Sequence, residues 1–546
     1  MTVTTRLGRR AMLGGTALIA FAAPAILSTP LRAAGAGFDG ARHLLSRTGF
    51  GPTPSEIAAF EALEYDAAVD RLLRNWKPEA VTPPPSWIGM SPPQAREAQR
   101  SFQEKRAARA AGGNPPGSAP GADAGAPPPR PGNIPAKPLE NANPLQEQGR
   151  ELRNWWIEEM LVTDQPLVER MALFWHNHFT SGLQKVRFAP AMYRQNALFR
   201  RHALGNFATL LREIARDPAM LRYLDGAQNR ASQPNENFAR ELLELFTLGE
   251  GHYSEADIKA AARAFSGWGL DPQTGAFRFY PGAHDTGAKT FLGRTGDLDG
   301  GDILDVLLAR PRTAEFLVGK LWREFVSLKP HDGEIKRLAG VLRGANYELR
   351  PLLKAMFAAE AFRDPASRGG LIKSPVELVV GTVRLLGLPV PEKTRLARAM
   401  QAMGQNPFEP PNVKGWPGGE AWITTNTLLM RQQILRRIVE ATSVAAADDG
   451  PGGMTPPGMM PPGMAPKPGR RADRREQMEP DPRPVEGRSL RGAGMSARLG
   501  PSLSGVDVPT LTRALLPLPP LSPLPADAGP GEAVATLLLD PVYQLK

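Results

Sequence analysis

The chain has 546 residues, 55 of them glycine and 56 proline, with no cysteine and a formal charge of +11. The missing thiols exclude disulfides, thiolate metal sites and a cysteine nucleophile. Glycine and proline together make about a fifth of the chain, unevenly placed, so part of the length does not join a core. Removing the four arginines of residues 1–36, a stretch without acids, leaves +7; that diffuse charge favours anionic surfaces but argues for no nucleic acid.

Arg9-Arg10 stand before Ala11-Met12-Leu13-Gly14-Gly15, an uncharged apolar run continues to Leu31, and Ala34-Gly35-Ala36 puts small residues at a cleavage position. Residues 1–36 therefore read as a twin-arginine signal peptide, which predicts an exported protein, periplasmic or at the cell surface. An uncleaved anchor is the competing reading; Gly14-Gly15, Pro24 and Pro30 oppose a spanning helix. No later stretch is long and apolar enough to span a bilayer.

Residues 38–76 predict N-terminal helices of the core. Thr53-Pro54-Ser55-Glu56 places an N-cap, a first-turn proline and a capping glutamate in order. Residues 77–147 read as a disordered Pro/Gly/Ala-rich insertion, marked by Pro83-Pro84-Pro85 and Pro127-Pro128-Pro129, with a short charged helix near Gln94–Ala111. Residues 148–442 predict the main helical domain. Within it Ser254 with Asp257 and Ser374-Pro375-Val376-Glu377 are helix starts, while Gly249, Gly267 and Gly387 mark helix ends. Alternation at Phe277 and Phe279, the Pro281-Gly282 turn and Thr290-Phe291-Leu292 predict a β-hairpin or ordered loop over 275–293. Residues 404–420 form a loop and 424–440 a long helix. Residues 445–510 read as a second disordered insertion rich in Met, Pro, Gly and Arg; without aromatics it is a poor nucleic-acid platform. Residues 511–546 hold a last helix near 531–539 that docks on the core. The fold class is mainly α.

Polar residues on these elements are the candidate site. Trp175-His176-Asn177-His178-Phe179 ends a helix; histidines two apart point about 200° from each other, so one ion cannot face both on a regular helix. His178 shares a side with Phe174 and Trp175 and points inward. Glu236, Arg240 and Glu244 are spaced as a salt-bridged ladder, and Glu241 lies nearer the buried side, where a carboxylate needs a partner. His284, Asp285 and Lys289 cluster on the predicted hairpin. Asn412-Val413-Lys414-Gly415-Trp416-Pro417-Gly418-Gly419 sits in a long loop. Gly-x-Ser-x-Gly, His-Glu-x-x-His and Gly-x-Gly-x-x-Gly are absent.

Several segments resemble, in order, landmarks of the bacterial domain-of-unknown-function 1800 family. They are Ala41-Arg42-His43-Leu44-Leu45-Ser46-Arg47-Thr48-Gly49-Phe50-Gly51-Pro52-Thr53, the Trp175–Phe179 and Asn235–Leu242 segments, His284–Gly293, Lys373-Ser374-Pro375-Val376-Glu377, and the Pro410–Gly419 loop. The resemblance implies a large, mainly helical exported protein and an exported partner of alkaline-phosphatase or sulfatase type. It carries no catalytic residue. Two functions are open. One is a helical scaffold that binds a partner protein or ligand at a polar pocket of His178, Asn177, Glu236, Arg240, Glu241, His284, Asp285, Lys289, Lys414 and Trp416. The other is a hydrolase using a divalent metal on His178, Glu241 and His284, with Glu236 or Asp285 as further ligands. Convergence of these side chains on one coordination sphere decides between them.

Overall fold

A computed structural model describes residues 35–111, 143–388, 392–448, 499–501 and 503–546. Arg9, Arg10 and the rest of the expected leader through residue 34 lie outside the described residues, as do 112–142 and 449–498 of the two expected insertions.

The described chain is mainly α, and its helices start where the sequence places stop-and-start chemistry. At the Pro54–Glu61 helix the Thr53 hydroxyl accepts the Glu56 N–H, and the Glu56 carboxylate accepts the Thr53 N–H at 2.7 Å. The same reciprocal capping box opens the helices Glu255–Ala264, Gly300–Ala309 and Pro375–Leu386, satisfying donors that a helix start leaves free. Gly387 closes the last of these in the left-handed conformation. No described helix is long and apolar enough to cross a membrane.

One continuous apolar interior runs from Leu44 to Tyr543. It therefore includes the N-terminal helices, the central helices and the segment after the second insertion. A small satellite of Ala41, Ile57 and Ala514 joins the two ends of the sequence directly. The Val508–Leu515 helix packs on Pro54–Glu61, and Pro530–Leu539 packs on both Val508–Leu515 and Thr425–Asp448.

Three expectations need correction. Both strands expected within 275–293 form, but they do not pair with each other. β1 (Trp268–Leu270) pairs antiparallel with β2 (Phe277–Phe279), and β3 (Lys289–Phe291) with β4 (Arg294–Gly296). Local turns decide this: Asp271 Oδ1 accepts the N–H groups of Gln273 and Thr274, with Gly275 at positive φ, and Leu292-Gly293 both take positive φ as a two-residue hairpin turn requires.

The insertion begins later than residue 77. Arg200 donates to the carbonyls of Pro78 and Glu79 at 3.1 and 3.0 Å, the buried Glu159 carboxylate accepts the N–H groups of Val81 and Thr82, and Trp155 Nε1 donates to the Thr82 carbonyl. A proline-rich strap with almost no apolar payload is thus ordered through its backbone. The expected helix near Gln94–Ala111 is present as Pro92–Ala111. At the second insertion, Leu503 is fully buried and the Val508–Leu515 helix is folded.

The helix expected over 235–248 changes type. Glu236–Glu241 is α and Leu242–Thr247 is a π-helix. The extra residue per turn breaks the expected ladder. Arg240 bridges Glu236 at 3.4 Å and Glu255 at 2.8 Å, while Glu244 is carried away to Tyr253 and Lys414.

Candidate functional site

The expected polar pocket divides into separate neighbourhoods. His178 ends the Pro166–His178 helix and is 2% exposed among the rings of Phe174, Trp175, Phe179, Phe207 and Phe246. Its Nε2 lies 3.1 Å from the Phe246 carbonyl, and a carbonyl only accepts, so Nε2 carries the proton. Burial first, and the charge of Lys320 second, push its pKa well below the usual histidine value, so the ring is neutral. His284 Nδ1 donates to the Ser266 carbonyl at 2.8 Å. Beside it Asp285 takes both arms of Arg263 at 2.6 and 3.0 Å, which holds its carboxyl down at about 2. Lys289 is buried and reaches Asp297 at 3.1 Å. His178 Nε2, His284 Nδ1, Asp285 and Lys289 thus each have their own local partner, and His178 Nδ1 is buried among the rings without one.

Only the remainder gathers. Lys414 lies 3.5 Å from Glu244 and 3.3 Å from Glu250, and its charge, with that of Arg240, acts on Glu241. Burial, then repulsion from Glu244, raises the Glu241 pKa. Glu236 and Arg240 form the edge of this surface patch with Glu255. Among the described residues no three His, Asp or Glu side chains stand in an arrangement that could hold a metal ion. The convergence of His178, Glu241 and His284 required by the hydrolase reading is not met.

Asn177 and Trp416 belong to a different place. The Asn177 side chain accepts the Trp416 N–H at 2.6 Å, and its Nδ2 donates to the Trp416 carbonyl at 3.4 Å. Gly415, at φ +81°, lets the loop come this close: a Cβ there would stand 2.2 Å from Asn177 Oδ1. Trp416 is thereby buried against a small cavity of about 60 Å³, also lined by Arg170, Glu324, Ser374, Glu377 and Lys546.

That cavity opens onto a buried charged network centred on Glu377. Glu377, 4% exposed, is the N3 residue of its helix: Oε2 accepts the Ser374 N–H at 2.8 Å. Oε1 faces Arg170 Nη1 at 2.8 Å and the Lys546 ammonium in a closer contact. The other arm of Arg170 meets Glu324 at the rim. Burial alone would raise the Glu377 pKa; the charges of Arg170 and Lys546 and the hydrogen bonds outweigh it and bring the group to about 2.

More cations surround this one buried acid than it can neutralise. Arg47, fully buried, donates to the carbonyls of Phe325, Val326 and Ser367. Arg431 donates to Gln544 Oε1 and to the Lys373 carbonyl at 3.0 and 2.9 Å. Lys373 has its ammonium 3.6 Å from the centre of the Tyr543 ring, and burial, then the charge of Arg42, drop its pKa to about 7. Arg42, Lys373, Glu377 and Lys546 line a second cavity, of about 20 Å³, with Ser46 and the Gly49-Phe50-Gly51-Pro52 loop. The loop fits there because Gly381 of the Pro375–Leu386 helix has no side chain: a Cβ would lie 1.8 Å from the Phe50 carbonyl oxygen.

Sequence reasoning named Asn177 and Trp416 but not Arg42, Arg47, Arg170, Glu377 or Lys546 as site residues. The segments carrying Arg42, Arg47 and Glu377 were visible as landmarks; Glu377 was legible only as a capping residue, a role that occupies one of its two oxygens.

The structure thus defines a multi-helix protein whose landmark segments, distant in sequence, help enclose a buried cluster of cations around Glu377, with Glu324 at its rim. The family model described as "Protein of unknown function (DUF1800)" matches residues 43–545, and the chain belongs to that family. No curated protein and no solved structure matches it.

Proposed function

We propose that the chain is an exported helical binding protein that holds a partner protein at the Trp416 depression. The observation that carries this reading is the convergence there of three segments from remote parts of the sequence: the Asn177 helix end, the Lys373–Glu377 helix start and the Gly415–Gly419 loop. A network that fixes the Glu377 carboxylate through Arg170, Lys546 and the Ser374 N–H gives the surface above it a rigid floor, which lowers the ordering cost of binding. Arg323, exposed at the rim, supplies a charge that steers a partner without supporting the fold. The twin-arginine leader supports export, and the resemblance supports a co-exported protein of alkaline-phosphatase or sulfatase type as the partner.

The test is size-exclusion chromatography of the mature chain mixed with such a co-exported protein, using the parent and Arg323→Glu. A complex with the parent that weakens at least tenfold in Arg323→Glu, with the melting temperature unchanged, is the expected result. No complex, or one indifferent to the charge reversal, refutes the reading. Export is tested by replacing Arg9 and Arg10 with lysine, which should retain the protein in the cell.

A further inference from the structure

We infer that the cavity between Arg42 and Lys373 is a binding site for one oxyanion group, a carboxylate or a phosphate. The inference stands apart from the partner role proposed above, since it needs only this cavity.

Arg42 is 4% exposed, yet its guanidinium makes no hydrogen bond or ion pair with any described residue, and its Nε is buried without a partner. The carboxylate whose field reaches it, Asp39, is bridged to Arg368 at 3.5 Å and to Arg513 at 3.1 Å. Lys373, lining the same cavity, faces an aromatic ring in place of an acid. Glu377, which also reaches this space, has its oxygens committed to Arg170, Lys546 and the Ser374 N–H. Arg42, a permanent cation, and Lys373, whose ammonium forms fully as the pH falls below 7, therefore meet one cavity with no carboxylate side chain among the described residues left for them.

A buried charge without a counter-charge is among the more costly arrangements a fold can hold. A ligand anion removes that cost and gains charge-assisted hydrogen bonds from a planar guanidinium suited to paired oxygens. Ser46, one helical turn after Arg42, adds a hydroxyl lining the same wall. At about 20 Å³ the cavity has room for a single small group and not for a large ligand. Acetate and inorganic phosphate represent the two sources of that group.

The experiment is a thermal-shift titration of the full chain with sodium acetate and with sodium phosphate, against sodium chloride at matched ionic strength. The parent, Arg42→Met and Lys373→Met are compared. The expected result is saturable stabilisation of the parent by acetate, phosphate or both, absent in chloride. Its half-saturation concentration should rise about 10- to 100-fold in each variant, as loss of a charge-assisted hydrogen bond implies. In anion-free buffer Arg42→Met should melt no lower than the parent, because it deletes an uncompensated charge; a purely structural arginine would give a lower midpoint. Stabilisation by chloride equal to that by both oxyanions, or variants that respond as the parent does, overturns the site. If Arg42→Met does not fold, the Lys373→Met titration alone decides by the same criterion.

Discussion

Gly381→Ala should destabilise the protein although it improves a helix. In the middle of Pro375–Leu386 an alanine is favoured over glycine by about 1 kcal/mol. Its Cβ, however, would stand 1.8 Å from the Phe50 carbonyl oxygen and 3.0 Å from the carbonyl carbon. The obstacle is backbone, in a loop whose next residue, Gly51, already sits at φ +111°. Relief needs the helix and the loop to part by more than 1 Å, and overpacking of that kind costs roughly 1–3 kcal/mol or more. Because the obstacle is backbone, the steric term falls in the upper part of that range and outweighs the propensity term, for a net loss of about 1–2 kcal/mol. Gly340→Ala is the matched control: it lies in Asp332–Gly344, where an added Cβ meets nothing within 4 Å, so only the propensity gain of about 1 kcal/mol remains. Thermal melting of the two variants side by side should place Gly340→Ala above the parent and Gly381→Ala below it. A Gly381→Ala protein that melts at or above the parent would refute the close approach of loop and helix.

Glu377→Gln leaves Lys546 without its counter-charge and Arg170 with only Glu324 at the rim, and should cost about 3–5 kcal/mol at pH 7, read by urea unfolding; a loss below 1 kcal/mol contradicts the network. Its folded pKa of about 2 lies below the unfolded value of 4.5, so this contribution is complete above pH 4.5 and fades as the pH falls toward 2. Acid lability should begin earlier, through histidine: burial drives His43 and His176 to about 3 and His178 well below 6.5. Their stability contribution is intact above pH 6.5 and is lost as the pH falls. Asp217, raised to about 7 by burial, works the other way, but the three histidines outnumber it, so unfolding takes up protons and stability falls as the pH drops from 6 to 5. Unfolding curves at pH 6, 5.5 and 5 that coincide would dispose of this. Asn177→Ala should release the Trp416 backbone and cost about 1–2 kcal/mol, with faster proteolytic cleavage in 412–419; unchanged cleavage would show that the clamp is not what holds the loop.

The helices were legible because their signals are local. Thr53, Ser254 and Ser374 each announce a helix by a hydrogen bond that spans three residues, and each capping box is present. His178 was also readable as inward-facing, since its helix face is fixed by Phe174 and Trp175. What stayed hidden depends on contacts across hundreds of positions. The Arg170, Glu377 and Lys546 network joins three distant segments, and no window along the chain contains it. The strap at 78–82 was misread for a related reason: its composition is that of unfolded chain, but Glu159 and Arg200, both buried elsewhere, bind its backbone. Polar spacing alone also overcounted the site. His284, Asp285 and Lys289 cluster in sequence as a ligand set would, yet Ser266, Arg263 and Asp297 already satisfy them.

The widened turn at Leu242–Thr247 has a consequence for how this region can change. Two of its carbonyls and that of the residue after it are collected by outside donors: His178 on Phe246, Lys320 on Leu245 at 2.7 Å, and Arg312 on Leu248 at 2.9 Å. Deleting one residue there would restore a regular spiral, yet it would swing everything upstream by about 100° and leave those three donors aimed at empty positions. Length in this segment is therefore locked by neighbours that never touch one another in sequence, so substitutions are far easier to accommodate here than insertions or deletions.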